Sequence, residues 1–189
     1  MILKAKKHFG QHFLINENIA NNIAESLNLN ICKNIIEIGP GKGVLTKYLI
    51  QKNANIKLIE IDIDCINVIK EKFENIDVIH NDFLQINLSE INFKEYSIIG
   101  NFPYNISSQI LFKVLENRNH VFELVGMFQK EVADRICSKP KSKKYGILSV
   151  LIQAYFDCEN LFNVGPDNFD PIPKVNSSVI RLSRNKIKD

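Results

Sequence analysis

Paired cysteines are missing from this sequence of 189 residues: four cysteines are present, and no two of them form a C-x-x-C motif. Zinc sites and disulfide frameworks both need cysteines at short, recurrent spacings. We therefore expect no metal site and four buried free thiols, because isolated cysteines behave as small apolar residues. The four are Cys32, Cys65, Cys137 and Cys158.

Long apolar runs are missing as well. No stretch approaches the ~20 apolar residues that a membrane-spanning helix needs. The segment from Met1 to Lys7 lacks the apolar stretch and small-residue cleavage site of a secretory signal. These absences predict a cytoplasmic protein that has no membrane partner.

The chain is weakly basic, and the positions of its basic residues are more informative than its net charge. A net charge of +3 is too small to establish a nucleic-acid partner. A solvated surface explains any single basic cluster, whereas three clusters together favour contact with phosphates. The clusters are Lys4, Lys6, Lys7 and His8; Lys139, Lys141, Lys143 and Lys144; and Arg181, Arg184, Lys186 and Lys188.

The size and the hydrophobic pattern predict one α/β domain. With 45% hydrophobic residues, the chain can fill one core but is short for two. Short apolar runs alternate with helical patterns, which is typical of a mostly parallel sheet covered by helices on both faces. Strands are predicted at Asn34–Ile38, Ile56–Glu60, Asp77–His80, Tyr96–Gly100 and Val121–Phe128. Helices are predicted at Asn16–Leu27, Val44–Lys52, Ile63–Phe73, Ser107–Leu115 and Lys130–Ile136.

The end of the chain departs from this alternation. An apolar segment covers 147–155, and the segments 158–164 and 175–182 carry β-branched or alternating residues. We expect the last two to pair as an antiparallel hairpin across a Pro-rich connection. The sheet would then contain seven strands.

A glycine-rich turn follows the first predicted strand, in the segment from Glu37 to Gly43. Glycines at such a turn let the backbone approach a ligand closely. Dinucleotide sites place the pyrophosphate here, but the Glu37 carboxylate would repel it and would suit a cation. S-adenosylmethionine carries a sulfonium and an ammonium, so we expect it as the cofactor, bound by Glu37, Gly39 and Gly41. The alternative is that Glu37 only caps the next helix.

Acidic residues after the next two strands support this cofactor. Glu60 closes the second predicted strand, where a carboxylate can accept hydrogen bonds from both ribose hydroxyls. Asp82 follows the third strand and can accept from an adenine amino group, and Phe83 can pack on the adenine ring. Together these residues predict a class I S-adenosylmethionine-dependent methyltransferase with a Rossmann-like fold.

The segment Asn101-Phe-Pro-Tyr104 follows the fourth predicted strand and indicates a nucleobase amine as the substrate. The amino nitrogen of adenine is a poor nucleophile, so its hydrogens must be held by acceptors. The Asn101 side chain, which also contacts the cofactor, and the Phe102 carbonyl can be those acceptors. Pro103 fixes the turn, and Tyr104 can stack on a flipped base. The alternative is an Asx-type turn with a buried tyrosine.

The chain resembles the ribosomal small-subunit RNA adenine dimethyltransferases over nearly its whole length. The matching blocks are Phe9–Leu14, Glu37–Gly41, Leu45–Thr46, Asn101–Ser107, Gln129–Arg135, Tyr145–Val150 and Phe169–Ser177. The resemblance implies transfer of methyl groups from S-adenosylmethionine to N6 of two adjacent adenines near the 3′ end of small-subunit RNA. The implied partner is the immature small ribosomal subunit, and the implied state is a monomer.

The resemblance also implies roles for individual residues. It adds His12 and Leu14 as cofactor contacts, and Phe169 as a second aromatic face against the flipped base. Phe102 stands where the family usually has leucine, a change that should matter little because that position contributes its carbonyl. The family normally continues into a helical C-terminal domain, and we expect residues 1–189 to be the catalytic domain alone.

Three other functions remain open at this point. The nearest is methylation of one adenine of the large-subunit RNA, the reaction that gives macrolide resistance. A second is a non-catalytic RNA-binding assembly factor, against which the intact Asn101 and Tyr104 argue. The third is a nicotinamide dehydrogenase, which would bind NAD and not the methyl donor.

Overall fold

The computed structural model describes residues 3–185 of the chain. Lys186 and Lys188 of the third basic cluster lie outside the described residues. The strands, in chain order, are β1 (Phe13–Leu14), β2 (Asn34–Ile38), β3 (Asn55–Glu60), β4 (Asp77–His80), β5 (Tyr96–Asn101), β6 (Val121–Gln129), β7 (Phe156–Val164), β8 (Phe169–Asp170) and β9 (Ser177–Arg184). The helices are α1 (Glu17–Glu25), α2 (Thr46–Leu49), α3 (Ile63–Lys72), α4 (Ser107–Glu116), α5 (Lys130–Ile136) and α6 (Ile147–Gln153).

Seven of the strands form one sheet in the order β4-β3-β2-β5-β6-β9-β7. The pairs from β4 to β6 are parallel, and β9 is antiparallel to both β6 and β7. The predicted seven-stranded, mostly parallel sheet is thus confirmed. The antiparallel pair at the end of the chain is confirmed too, with the addition that β9 is inserted between β6 and β7.

Alternate residues of the central strands face two different apolar clusters. In β2, Ile36 and Ile38 belong to one cluster and Ile35 to the other. Helix α4 packs its apolar residues into the first cluster, and α1 packs Ala20, Ile23 and Ala24 into the second. Because β2 and the other central strands are buried on both faces, their sequences are mostly apolar and do not alternate with polar residues.

Two of the predicted helices show how local sequence sets their bounds. Asn16 caps α1 as predicted, because its side-chain oxygen accepts the backbone N–H groups of Asn18 and Ile19. The helix predicted at 44–52 is shorter, since α2 covers Thr46–Leu49 only. Residues 41–45 form turns instead, with Gly43 at a φ of +79°.

The second, two-stranded sheet was not predicted. In it, β1 pairs with β8 antiparallel, with Phe13 opposite Asp170 and Leu14 opposite Phe169. Two residues a strand leave no periodic pattern for sequence analysis to detect. This pairing matters because it joins the N-terminal segment to the Pro-rich connection between β7 and β9.

The four cysteines are free. Cys32 and Cys65 are buried as expected, whereas Cys137 and Cys158 are half-buried, which corrects the prediction for those two.

Within residues 3–185, no group of three or more metal-ligating side chains is placed to hold an ion. None of the helices in that range has the length and apolar character to cross a bilayer.

Candidate active site

A cavity of about 230 Å³ opens where the parallel strands end. It lies at the carboxyl ends of β2, β3, β4 and β5, the edge at which open α/β sheets bind ligands. Twelve of the thirteen predicted site residues line it. They are His12, Leu14, Glu37, Gly39, Gly41, Glu60, Asp82, Phe83, Asn101, Phe102, Pro103 and Tyr104.

The glycine turn after β2 forms one wall of the cavity. Gly39 and Gly41 have φ of +64° and +56°, a region that side-chain-bearing residues rarely adopt. A Cβ at Gly39 would meet no atom within 4 Å, so a side chain there would extend into open space. A Cβ at Gly41 would come within 3.0 Å of the Phe13 ring, which packs over the turn.

Glu37 lies at the inner end of this wall and is only 1% exposed. Its Oε2 accepts a hydrogen bond of 2.7 Å from the Thr46 hydroxyl at the start of α2. The carboxylate thus contacts the start of the next helix and also lines the cavity, and its role in binding the cofactor stays a prediction. Burial raises the pKa of Glu37 to about 8, although hydrogen bonds from Thr46 oppose the change.

Glu60 is held by backbone N–H groups on both of its oxygens. Oε1 accepts from Ile61 and Asp62 at 2.9 Å each, and Oε2 accepts from Gly41 at 3.1 Å. Burial raises the pKa of Glu60, with these three hydrogen bonds acting in the opposite direction. A carboxylate can accept about four hydrogen bonds, so one acceptor position remains for a ligand.

Asp82 and Phe83 form the wall beyond β4. Oδ1 of Asp82 accepts the backbone N–H of Leu84 at 2.8 Å, which fixes the turn that follows the strand. The Phe83 ring is buried and also packs in the core, with the Lys113 ammonium 5.4 Å from its centroid. The pair thus offers one carboxylate and one apolar surface to the same cavity.

Asn101, the last residue of β5, has its side chain oriented by the N-terminal segment. Its Nδ2 donates a hydrogen bond of 2.9 Å to the main-chain oxygen of His12. With the amide nitrogen engaged in this way, Oδ1 is the atom left to accept hydrogen bonds from a substrate. An amide oxygen accepts two hydrogen bonds and donates none, which suits it to a substrate amine.

Phe102 is 1% exposed, and its ring occupies space that two glycines provide. A Cβ at Gly100 would lie 2.6 Å from this ring, and a Cβ at Gly126 would lie 2.1 Å from it. The ring also packs against Phe128, with their centroids 5.1 Å apart. Glycines on β5 and β6 therefore make room for phenylalanine at the position where leucine is usual.

Tyr104 begins the short turn Tyr104–Ile106 after Pro103. Its hydroxyl is 2.5 Å from the hydroxyl of Ser177, the first residue of β9. Burial raises the pKa of Tyr104, an effect that Ser177 partly offsets. The ring of His12 stacks on the Tyr104 ring, with 5.5 Å between their centroids and 24° between their planes.

Phe169 is the one predicted site residue that does not line this cavity. It is 1% exposed and packs in the apolar cluster with Leu14, its partner in the β1–β8 ladder. It supports the N-terminal segment, and its role as a second aromatic face against the base stays a prediction.

Several residues that the sequence did not indicate hold the N-terminal segment beside the cavity. The Gln11 side chain donates to Asp62 at 2.9 Å, and the Lys6 ammonium is 2.6 Å from the other oxygen of Asp62. These hydrogen bonds lower the pKa of Asp62, although burial acts in the opposite direction. The contacts join residues more than 50 positions apart, so no local pattern in the sequence indicates them.

The sequence is similar to known proteins along most of its length. It matches the family described as "Ribosomal RNA adenine dimethylase" over residues 2–188. It is 51% identical to the ribosomal RNA small subunit methyltransferase A of Flavobacterium johnsoniae, over 96% of this chain and 71% of that protein.

Two solved structures have the same fold. A dimethyladenosine transferase from Plasmodium falciparum superposes with a TM-score of 0.82 at 27% identity, covering 93% of this chain and 64% of that one. The 23S rRNA methyltransferase ErmE gives a TM-score of 0.80, also at 27% identity, covering 94% of this chain and 72% of that one.

Proposed function

The chain belongs to the ribosomal RNA adenine dimethylase family, and from that membership we propose that it methylates N6 of two adjacent adenines near the 3′ end of small-subunit ribosomal RNA. The methyl donor is S-adenosylmethionine, and each target becomes N6,N6-dimethyladenine. The proposal implies that residues 1–189 act as a catalytic domain, in the cytoplasm, as a monomer, on immature small subunits. The observation that carries it is the oriented Asn101 side chain beside a cavity with buried carboxylates.

The cavity fits the proposed cofactor in charge and in shape. Glu37 supplies a buried carboxylate for the cationic amino-acid end, and the turn leaves open space at Gly39 that a side chain would fill. The one remaining acceptor position of Glu60 suits a single ribose hydroxyl, one fewer than the two expected from the sequence. Asp82 and Phe83 suit the amino group and the ring of the adenine.

The N-terminal segment would cover the bound cofactor. His12 and Leu14 line the cavity, and Phe13 packs against Gly41 of the glycine turn. Lys6 and Gln11 hold the segment in place through Asp62. A covered site excludes water from the reacting groups, which strengthens the electrostatic interactions inside it.

When bound, S-adenosylmethionine supplies an electrophilic methyl group on a positively charged sulfur. The residues of this chain orient the nucleophile. Asn101 Oδ1 and the Phe102 carbonyl accept the two amino hydrogens of adenine, so that the nitrogen lone pair is freed from the ring. Tyr104 stacks on the base after it has left its own stack. Pro103, with φ −57° and ψ 131°, sets the direction of the turn between these groups.

The test is methylation of a defined RNA. Small subunits that lack the modification are incubated with the protein and S-adenosylmethionine, and the RNA is digested and analysed by mass spectrometry. We expect two adjacent N6,N6-dimethyladenines near the 3′ end. Methylation of an adenine in large-subunit RNA would support the alternative reaction, and binding without methylation would indicate an assembly factor.

A further inference from the structure

The aromatic ring of Tyr104 is fixed on one face and at its hydroxyl. The His12 ring covers one face at a centroid distance of 5.5 Å. The hydroxyl is joined to Ser177 across 2.5 Å. Within residues 3–185, His12 supplies the one aromatic ring that stacks on Tyr104.

His12 is itself held at two points. Its main-chain oxygen accepts from Asn101, and its Nδ1 is 2.7 Å from the main-chain oxygen of Pro171. Because a carbonyl oxygen only accepts, Nδ1 carries the proton and donates it to this bond. Pro171 directly follows β8, so this hydrogen bond joins the His12 side chain to the end of the β1–β8 pair.

We propose that His12 is a positioning residue of the base site, and that the target adenine stacks on the face of Tyr104 opposite His12. The inference rests on the proposed function, because it names how that function's substrate is held. A base inserted between the two rings would need a centroid separation of roughly 7 Å, two stacking distances. The observed 5.5 Å leaves no such room.

One residue thereby orients both groups that contact the base. The main chain of His12 sets the direction of Asn101 Oδ1, and its ring sets the plane of Tyr104. Since His12 also lines the cofactor cavity, a segment closed over the cofactor completes the base site in the same arrangement. The aromatic ring at position 12 is then needed for turnover more than for cofactor affinity.

Two variants separate the ring of His12 from its hydrogen bond. His12→Phe keeps an aromatic ring and loses the donor to Pro171, whereas His12→Asn keeps an amide donor and loses the ring. With undermethylated small subunits as substrate, we expect His12→Asn to lower kcat at least about 5-fold further than His12→Phe does, because only His12→Phe keeps an aromatic ring against Tyr104. The affinity for S-adenosylmethionine, measured by calorimetry, should differ less than about 3-fold between the two variants, because both lose the histidine side chain. A larger loss of kcat in His12→Phe than in His12→Asn would overturn the inference.

A double-mutant cycle with Tyr104→Ala tests the contact itself. If His12 acts through Tyr104, His12→Asn should have little further effect on kcat in the Tyr104→Ala background. Additive losses would overturn the inference, as would faster methylation by His12→Asn, because a faster variant would mean that the histidine ring occupies the place of the base. An inactive wild-type protein would refute the proposed function, whereas an active wild type with an additive cycle would refute this inference alone.

Discussion

The side-chain amide of Asn101 donates to the main-chain oxygen of His12 across 2.9 Å, although the two residues are 89 positions apart. The bond decides which end of the amide faces the substrate. With nitrogen held by a carbonyl, oxygen is the atom available to an adenine amine. The N-terminal segment is therefore part of the proposed base site as well as a cover for the cofactor.

Replacing Asn101 should abolish methylation and leave cofactor binding intact. Asn101→Ala removes the acceptor, and Asn101→Asp keeps acceptors but loses the donor to His12. We expect both to lower kcat by about 100-fold or more, the size of effect seen when one positioned hydrogen bond is removed from a transition state. The affinity for S-adenosylmethionine by calorimetry should change little. Asn67→Ala, an exposed change on α3, is the control, and substantial activity in Asn101→Ala would remove this residue from the mechanism.

Glu37 should make the cofactor-free protein less stable as the pH rises. Burial raises the pKa of Glu37 to about 8, so between its ordinary value near 4.5 and pH 8 the folded state holds a proton that the unfolded state has released. The stabilisation from this group is complete below that window and is lost across it, by up to about 1.4 kcal/mol per pH unit. Glu37→Gln cannot ionise, so its stability relative to wild type should increase from pH 5 to pH 8.

Denaturant melts of both proteins at several pH values measure this difference. The same variant should bind S-adenosylmethionine more weakly at pH 8, because it lacks the negative charge that a sulfonium and an ammonium require. A constant stability difference across the pH range would mean that Glu37 is ionised throughout. Unchanged cofactor affinity would mean that the cation binds elsewhere.

Glu60→Ala should weaken cofactor binding and also loosen the glycine turn. The Glu60 carboxylate accepts from three backbone N–H groups, one of them at Gly41, and the variant leaves these donors without that partner. We expect at least a 10-fold loss of affinity for S-adenosylmethionine by calorimetry and a lower Tm. Glu71→Ala, at an exposed position of α3, should change neither quantity. Affinity equal to that of wild type would reject the proposed contact with the ribose.

The sequence predicted the large sheet well because its central strands are buried on both faces and therefore form short apolar runs. The apolar pattern of a run such as Asn34–Ile38 can be recognised from neighbouring residues alone. The structure has a strand with the same bounds. The carboxyl-end residues were predicted for the same reason, since a residue that ends a parallel strand must lie at that edge of the sheet. The burial of Phe169 could not be predicted, because it depends on pairing with Leu14, a partner 155 residues away that no local pattern reveals.

The loop of lysines between α5 and α6 should contribute to RNA binding through charge alone. Lys144 is already paired with Asp134 at 2.7 Å, whereas Lys141 and Lys143 are exposed. Replacing these two by glutamine should reduce the slope of log affinity against log salt by about 1.4, at about 0.7 per phosphate contact with single strands. Lys33→Gln with Lys94→Gln is the matched control, since these exposed lysines precede β2 and β5 at the opposite end of the sheet. An unchanged slope would show that the loop is merely solvated.

Phe102 should be replaceable by leucine at a cost in stability and with little loss of activity. Its proposed role uses the backbone carbonyl, and its ring fills the space beside Gly100 and Gly126. Phe102→Leu shrinks a buried side chain, so we expect a loss of about 1–3 kcal/mol in the free energy of unfolding. The kcat for RNA methylation should stay within about 3-fold of wild type.

Gly126→Ala shows whether the ring and the glycine depend on each other. In the wild-type background the new Cβ would lie 2.1 Å from the Phe102 ring, too close without displacement of the ring or of β6. We therefore expect Gly126→Ala alone to be strongly destabilising. In the Phe102→Leu background the closest contact is removed and Phe128 remains at 3.0 Å, so the second change should cost less. Denaturant melts of wild type, the two single variants and the double variant give the interaction free energy. We expect the double variant to be more stable than the sum of the single losses predicts by more than about 1 kcal/mol, as for residues in contact. Additive losses would mean that the two positions are independent, and the glycine on β6 would then need another explanation.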